Sequence, residues 1–292
     1  MTLSRSQRVL SHAALGFCLL LTTVYGIRQM FVAEYVEVCS TRYNVMTTFP
    51  KLETEAEAAR RQLNRDELAA TFGLSSWGVI ENASVETASG LGNRSVIEAR
   101  IPAGSYGPRA RLPQKGGISF RWRHGRPEAI HAACLSYSLF LPQAFRFHEG
   151  GKLPGLFGKS RAPVEKAGSA ADSFSSRLGW GPGGVVGLAA LAPRPQLSGP
   201  LALNQGGWSL PLGQWLHFEQ EVVLNTPGEA DGIMRVWVNG EMLLDNREMS
   251  YRKTKDLLID GVTADLYYDA EASQPAPANT FLRITPFDLR WN

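Results

Sequence analysis

The step Val238-Asn239-Gly240-Glu241 constrains this chain most, because Asn-Gly accepts the positive φ angles of a two-residue hairpin turn. It closes an alternating run at 234–238, and the same grammar fills the chain from Trp77 onward. Segments 95–101, 117–123, 134–141, 215–224, 234–238 and 280–289 are each a short alternating run bounded by Gly, Pro or Asn. No helical crossover patterns separate them. Many short strands without crossovers predict an all-β antiparallel sandwich. Pro-rich stretches at 192–200 and 274–277 are expected to be surface loops, and there is no internal repeat.

The N-terminal part differs. Arg5 and Arg8 precede a nearly unbroken apolar run at 13–27, the pattern of an export signal or a signal-anchor. The run is short against the roughly 20 apolar residues that a span needs, and no small-x-small cleavage site follows it. We expect residues 1–33 to be a signal-anchor or signal peptide, with the rest outside the cytoplasm. It would be membrane-anchored, or secreted if the segment is cleaved. Residues 34–75 form a connector and a short helical neck. At 52–72 a thin face of Leu52, Ala56, Ala59 and Leu63 has helical spacing, with acidic residues leading and arginines following. Residues 76–292 are the β domain.

Composition excludes some functions. Thirty Lys+Arg face 27 Asp+Glu, a net charge of +3, which lacks the concentrated basic stripe of a nucleic-acid binder. With three cysteines (Cys18, Cys39, Cys134) and five scattered histidines there is no metal-ligand spacing, and no metal or cofactor is expected. Two free thiols at Cys39 and Cys134 are the expectation, with a disulfide between them as the alternative in an oxidising compartment.

The remaining signal is local. Gly150-Gly151-Lys152-Leu153-Pro154-Gly155-Leu156-Phe157-Gly158 places one cation in a glycine-rich loop where a ligand can approach the backbone. Ser175 and Arg177 are two apart on a strand and share a face. Alone, either cation reads as a solvated surface residue. These motifs, with the 101–108 segment IPAGSYGP, the 220–228 segment QEVVLNTPG, Asp231-Gly232 and Trp237-Val238-Asn239-Gly240, resemble polysaccharide lyase family 14, the alginate and glucuronan lyases.

The resemblance implies a β-jelly roll and an acidic, uronate-containing polysaccharide as partner. It implies β-elimination, in which C5 loses a proton, the C6 carboxylate is neutralised and O4 gains a proton. It assigns Lys152, Ser175 and Arg177 to the active site, with Lys152 and Arg177 holding the carboxylate. The family's proton-moving Tyr-x-Tyr would fall at Ala189 and Leu191, and neither can move a proton. The family's late GVMFSTFFGG-like segment has become Tyr267-Tyr268-Asp269-Ala270 here. Tyr267 or His148 could substitute as the base, and His217 and Tyr267 join the substrate-binding candidates. Trp180 and Trp208 could stack on sugars or belong to the core. Binding with cleavage, binding alone in surface polysaccharide assembly or export, and a protein-interaction jelly roll all remain open.

Overall fold

Leu216, Phe218 and Val222 recur at every second or fourth residue of Trp215–Val223, and in the computed structural model this segment is a strand paired on both sides in one sheet. The structure describes residues 36–49, 76–125, 129–160, 173–191, 201–202, 207–269 and 274–292. In chain order the first strands are β1 (Val45–Phe49), β2 (Ala83–Ala88), β3 (Arg94–Ile101), β4 (Ile118–Arg123) and β5 (Ala132–Phe140). Next come β6 (Gly151–Ser160), β7 (Ser173–Trp180), β8 (Val185–Leu191), β9 (Leu201–Ala202) and β10 (Trp208–Ser209). The last are β11 (Trp215–Val223), β12 (Gly232–Val238), β13 (Glu241–Met249), β14 (Leu257–Tyr268), β15 (Thr280–Ile284) and β16 (Phe287–Trp291). A single α-helical turn, α1 (Val79–Asn82), precedes β2.

Among the described residues these strands form two antiparallel sheets. The nine-stranded sheet runs β13-β12-β11-β5-β15-β3-β2, with β16 also on β5 and β1 on β16. The seven-stranded sheet runs β10-β8-β7-β6-β14-β4, with β9 on β8. Inward residues of both sheets share one core, in which Tyr137 stacks on Phe218 at 5.5 Å and meets Phe287 edge-on. Each such buried side chain stabilises the fold by about 1.5–3 kcal/mol. Gln220 on β11 donates to the backbone oxygen of Ser176 on β7, and the Ser176 hydroxyl reaches Met234 on β12. These bonds give the Gln220 amide nitrogen and the Ser176 groups between the sheets partners, while Gln220 Oε1 has none among the described residues.

The hairpin forms as expected: Val238 pairs with Glu241, and Asn239 and Gly240 have φ of 51° and 83°. Three expectations are corrected. The glycine-rich stretch is not a loop but most of β6, since Gly151–Ser160 pairs with β7 and β14 on both sides. Pro154 is accommodated at a bulge, where Lys152 and Gly155 oppose Gly179 and Arg177 with one extra residue between them. The 280–289 run is two strands, because Pro286 has no N–H to give the ladder and a register step separates β15 from β16 along β5. Cys39 and Cys134 are joined in a disulfide rather than free, with Cα atoms 5.6 Å apart.

That disulfide and the β1–β16 pairing make residues 38–49, read as connector, part of the compact unit Val38–Asn292. No helix among the described residues is long and apolar enough to cross a membrane. The expected signal-anchor at 1–33, the helix at 52–72 and the Pro-rich stretch at 192–200 lie outside the described residues.

Candidate functional site

Strand register maps the outer face of the seven-stranded sheet. One cross-strand row holds Arg121 (β4), Thr263 (β14), Gly155 (β6), Arg177 (β7) and Ala189 (β8). The next row holds Arg123, Gly261, Phe157, Ser175 and Leu191. On the other side, Ser119 faces Asp265, and beyond them Tyr267, Lys152, Gly179 and Gly187 line up. Lys152, Ser175, Arg177 and Tyr267 therefore do converge on one face.

Between Arg177 and Asp265 stands Gly155, which offers no side chain. A Cβ there would lie 1.9 Å from the Ser176 carbonyl oxygen, so only glycine fits this close strand approach. Arg177 reaches across and its Nη1 pairs with Asp265 Oδ2. Asp265 is fully buried, and a charge so placed needs partners. It also accepts the Ser119 hydroxyl at 2.5 Å. Arg109 Nη2 stands 3.7 Å from it and donates to Ser119 Oγ at 2.7 Å.

Arg109 arrives on the segment after IPAGSYGP and lies over the exposed Trp77 ring at 4.4 Å. The same segment packs Gly107 against Tyr267, where a Cβ would come within 3.2 Å of the ring. Lys152 pairs with Asp269 at 2.5 Å, and both groups retain solvent contact.

Two buried polar atoms on this face have no hydrogen-bond partner among the described residues: the hydroxyl of Ser175, which is 7% exposed, and Arg177 Nε. Buried polar atoms are normally paired, so these mark a place for a ligand or water.

Tyr267 lies beside the two paired cations, yet its phenol is pushed up to about 12. Burial is the main cause, the Asp265 charge adds to it, and Arg177 and Arg109 pull the other way. A general base at neutral pH needs the opposite shift. His148, the other candidate, sits at a positive φ of 52° with its ring edge-on to Tyr268 and its Nε2 buried without a partner.

His217 does not join the site. It is exposed on the outer face of the nine-stranded sheet, near Ser138 Oγ (3.2 Å) and Glu219 (3.5 Å), because its alternation with Leu216 and Phe218 turns it away from the core. Trp180 is core, its indole donating to the Phe147 carbonyl, and Trp208 packs edge-on to Phe218.

Asp265, Arg109, Arg121 and Asp269 were not singled out in the sequence. The i, i+2 triples Ser119/Arg121/Arg123 and Thr263/Asp265/Tyr267 carried the signal, since each falls on one strand face. A cavity of about 240 Å³ lined by Gly90, Phe140, Trp215 and Arg283 lies on the nine-stranded sheet, away from this chemistry. Cys39, Cys134 and Glu219 lie close enough to suggest a metal group, but both sulfurs are in the disulfide.

The strands form an antiparallel β-sandwich, with a lysine, a serine and an arginine on one outer face. The polysaccharide lyase 14 family model matches residues 91–281, and the chain belongs to that family. No curated protein sequence matches it. Among solved structures it is similar to the PL-14 alginate lyase from Aplysia kurodai, at 21% identity over 78% of this chain and 94% of that one, with a TM-score of 0.64. The alginate lyase vAL-1 from Chlorella virus gives 21% identity, 74% and 91% coverage and a TM-score of 0.61. A double mutant of the alginate lyase Aly36B in complex with an alginate tetrasaccharide gives 14% identity, 78% and 91% coverage and a TM-score of 0.60. At these identities the likeness is one of fold.

Proposed function

We propose that this protein binds an acidic, uronate-containing polysaccharide on the outer face of its seven-stranded sheet and holds it without cutting it. The observation that carries this reading is the engagement of Arg177 by the chain's own buried Asp265. β-Elimination needs free positive charge at the C6 carboxylate as the carbanion develops, and that electrostatic term is usually the largest. A substrate carboxylate would have to displace a fully buried partner to use the Nη1 edge of Arg177. Lys152 is different, because its pair with the half-exposed Asp269 is of the weak, solvent-screened kind and opens readily to an incoming carboxylate. Lys152 thus keeps a binding role.

Proton transfer lacks an agent as well. Ala189 pairs with Arg177 across β7 and β8, where the family resemblance expects a tyrosine, and the Tyr267 phenol holds its proton more tightly than a free phenol. In this reading the sandwich is of the family's jelly-roll type. It works outside the cytoplasm, exported or anchored through the apolar run at 13–27. The Cys39–Cys134 disulfide supports that placement, since such bonds persist in oxidising compartments.

The test incubates the protein with alginate and with glucuronan. Retarded migration in gels containing either polymer, without the near-ultraviolet absorbance of an unsaturated uronate, is the expected result. Accumulation of that product would establish a lyase, and no retardation by either polymer would end the binding reading.

A further inference from the structure

Arg121 is exposed on this face and has no carboxylate within ion-pair distance among the described residues, whereas Arg177, Arg109 and Lys152 are all engaged. Its guanidinium lies over the Phe157 ring at 5.2 Å. Phe157 is the cross-strand partner of Ser175, and Arg121 shares a cross-strand row with Arg177 through Thr263 and Gly155. Ser175 is 7% exposed on the same outward face, and neither its Oγ nor Arg177 Nε has a partner.

A planar cation held on an aromatic ring, beside two unsatisfied polar groups, fits one ligand chemistry. A carboxylate can accept from Arg121 and from Arg177 Nε while an adjacent sugar hydroxyl bonds Ser175.

We propose that Arg121, with Ser175 and Arg177 Nε at its base, forms a second carboxylate subsite distinct from Lys152, and that it makes the face selective for charged polyuronates. The proposal rests on the binding reading above. Lys152 sits on β6 opposite Tyr267, and Arg121 on β4 opposite Thr263, so the two cations occupy different rows and would engage different sugar units of one chain. Neighbouring charge favours this role. Arg121 is held below the ordinary arginine range, first by desolvation and then by the cation Arg109, with Arg177 adding to it. An anion placed among these groups relieves that repulsion.

Binding of alginate, glucuronan and carboxyl-reduced alginate is compared by affinity electrophoresis and titration calorimetry. The proteins are the wild-type chain with its disulfide intact and the variants Arg121→Ala, Arg121→Lys, Ser175→Ala and Lys152→Ala. Arg121 is exposed, and matching thermal unfolding will confirm that its variants are folded. The wild type should bind the charged polymers and ignore the carboxyl-reduced one. Arg121→Ala should weaken binding about tenfold, the usual size of a lost charge-assisted hydrogen bond. Arg121→Lys, which keeps charge but loses the planar fork, should fall between, and Ser175→Ala should weaken binding severalfold.

Wild-type affinity in Arg121→Ala together with loss in Lys152→Ala would overturn the second subsite and leave the binding function standing. Equal binding of carboxyl-reduced alginate would overturn carboxylate selectivity. No binding of any polymer by the wild type would overturn the function itself.

Discussion

Each outer face of the sandwich carries a buried carboxylate held by arginines, but the two are finished differently. On the nine-stranded sheet, Glu221 accepts from Arg42 and Arg235, both at 2.9 Å, and from Tyr43 at 2.7 Å. Its neighbour Glu219 takes the Ser40 amide and hydroxyl. The segment supplying Ser40, Arg42 and Tyr43 is tied down by the Cys39–Cys134 disulfide, so that face is closed by the chain itself. On the seven-stranded sheet, Asp265 is equally buried and held by Arg177 and Ser119; Arg177 Nε lacks a partner among the described residues, as Arg42 Nε does on the other face, and here the Ser175 hydroxyl lacks one too while Arg121 stands exposed. The same chemical unit serves as a staple on one side and, in the binding reading, as the footing of a polymer surface on the other. What distinguishes them is how the covering segment is held: a disulfide fixes it over Glu221, whereas Arg109 reaches Asp265 and Ser119 from a segment with no crosslink.

The sharpest way to break this comparison is to remove the staple. Replacing Cys39 and Cys134 by serine frees a crosslink spanning 95 residues, worth about 4–5 kcal/mol in the chain-entropy account. The denaturant midpoint should fall accordingly while polymer binding at the other sheet persists. Glu221→Ala should cost about 3 kcal/mol, because it takes the carboxylate from Arg42, Tyr43 and the buried Arg235, which keeps only Asp245, and the same midpoint reads it. Loss of polymer binding by either variant while it is still folded would show that the two faces are coupled.

Asp265→Asn should cost less, about 1–3 kcal/mol, because the amide keeps a polar group in the pocket. It should also lower the Tyr267 titration from about 12, since the Asp265 charge is one of its causes. Tyrosinate absorbance against an Asp265→Asn/Tyr267→Phe reference checks this.

Tyr267 sets a pH window of its own. Its folded pKa lies above the roughly 10 of a free phenol, so the native state holds this proton more tightly than the unfolded chain. The stability this adds is fully present below pH ~10 and is lost as pH rises through about 12. Stability measured between those values should fall less steeply in Tyr267→Phe. The smallest effect belongs to Lys152→Ala, whose solvent-contacting pair with Asp269 should contribute about 1 kcal/mol or less to stability. A larger loss would mean that Lys152 is a structural residue like Arg235, and the contrast between the faces would fail.

The sequence by itself determined what is local or repeated. Alternation from Trp77 onward required antiparallel strands, Asn239-Gly240 required its hairpin, and the ordered motifs carried the family. It also named Lys152, Ser175, Arg177 and Tyr267, which strand register then sets on one sheet face. Only the tertiary structure decided what those groups do.

Asp265 lies 88 residues from Arg177, and their pairing depends on β14 docking beside a bulged β6 whose Gly155 leaves the gap open. The Cys39–Cys134 bond depends likewise on where the 38–44 segment crosses the outer face of β5. His217 was misplaced because alternation says that two side chains point to opposite faces, not which sheet carries the site. Strand pairing is non-local, and the partner of a charge is settled by cross-strand register, which no single stretch of sequence contains.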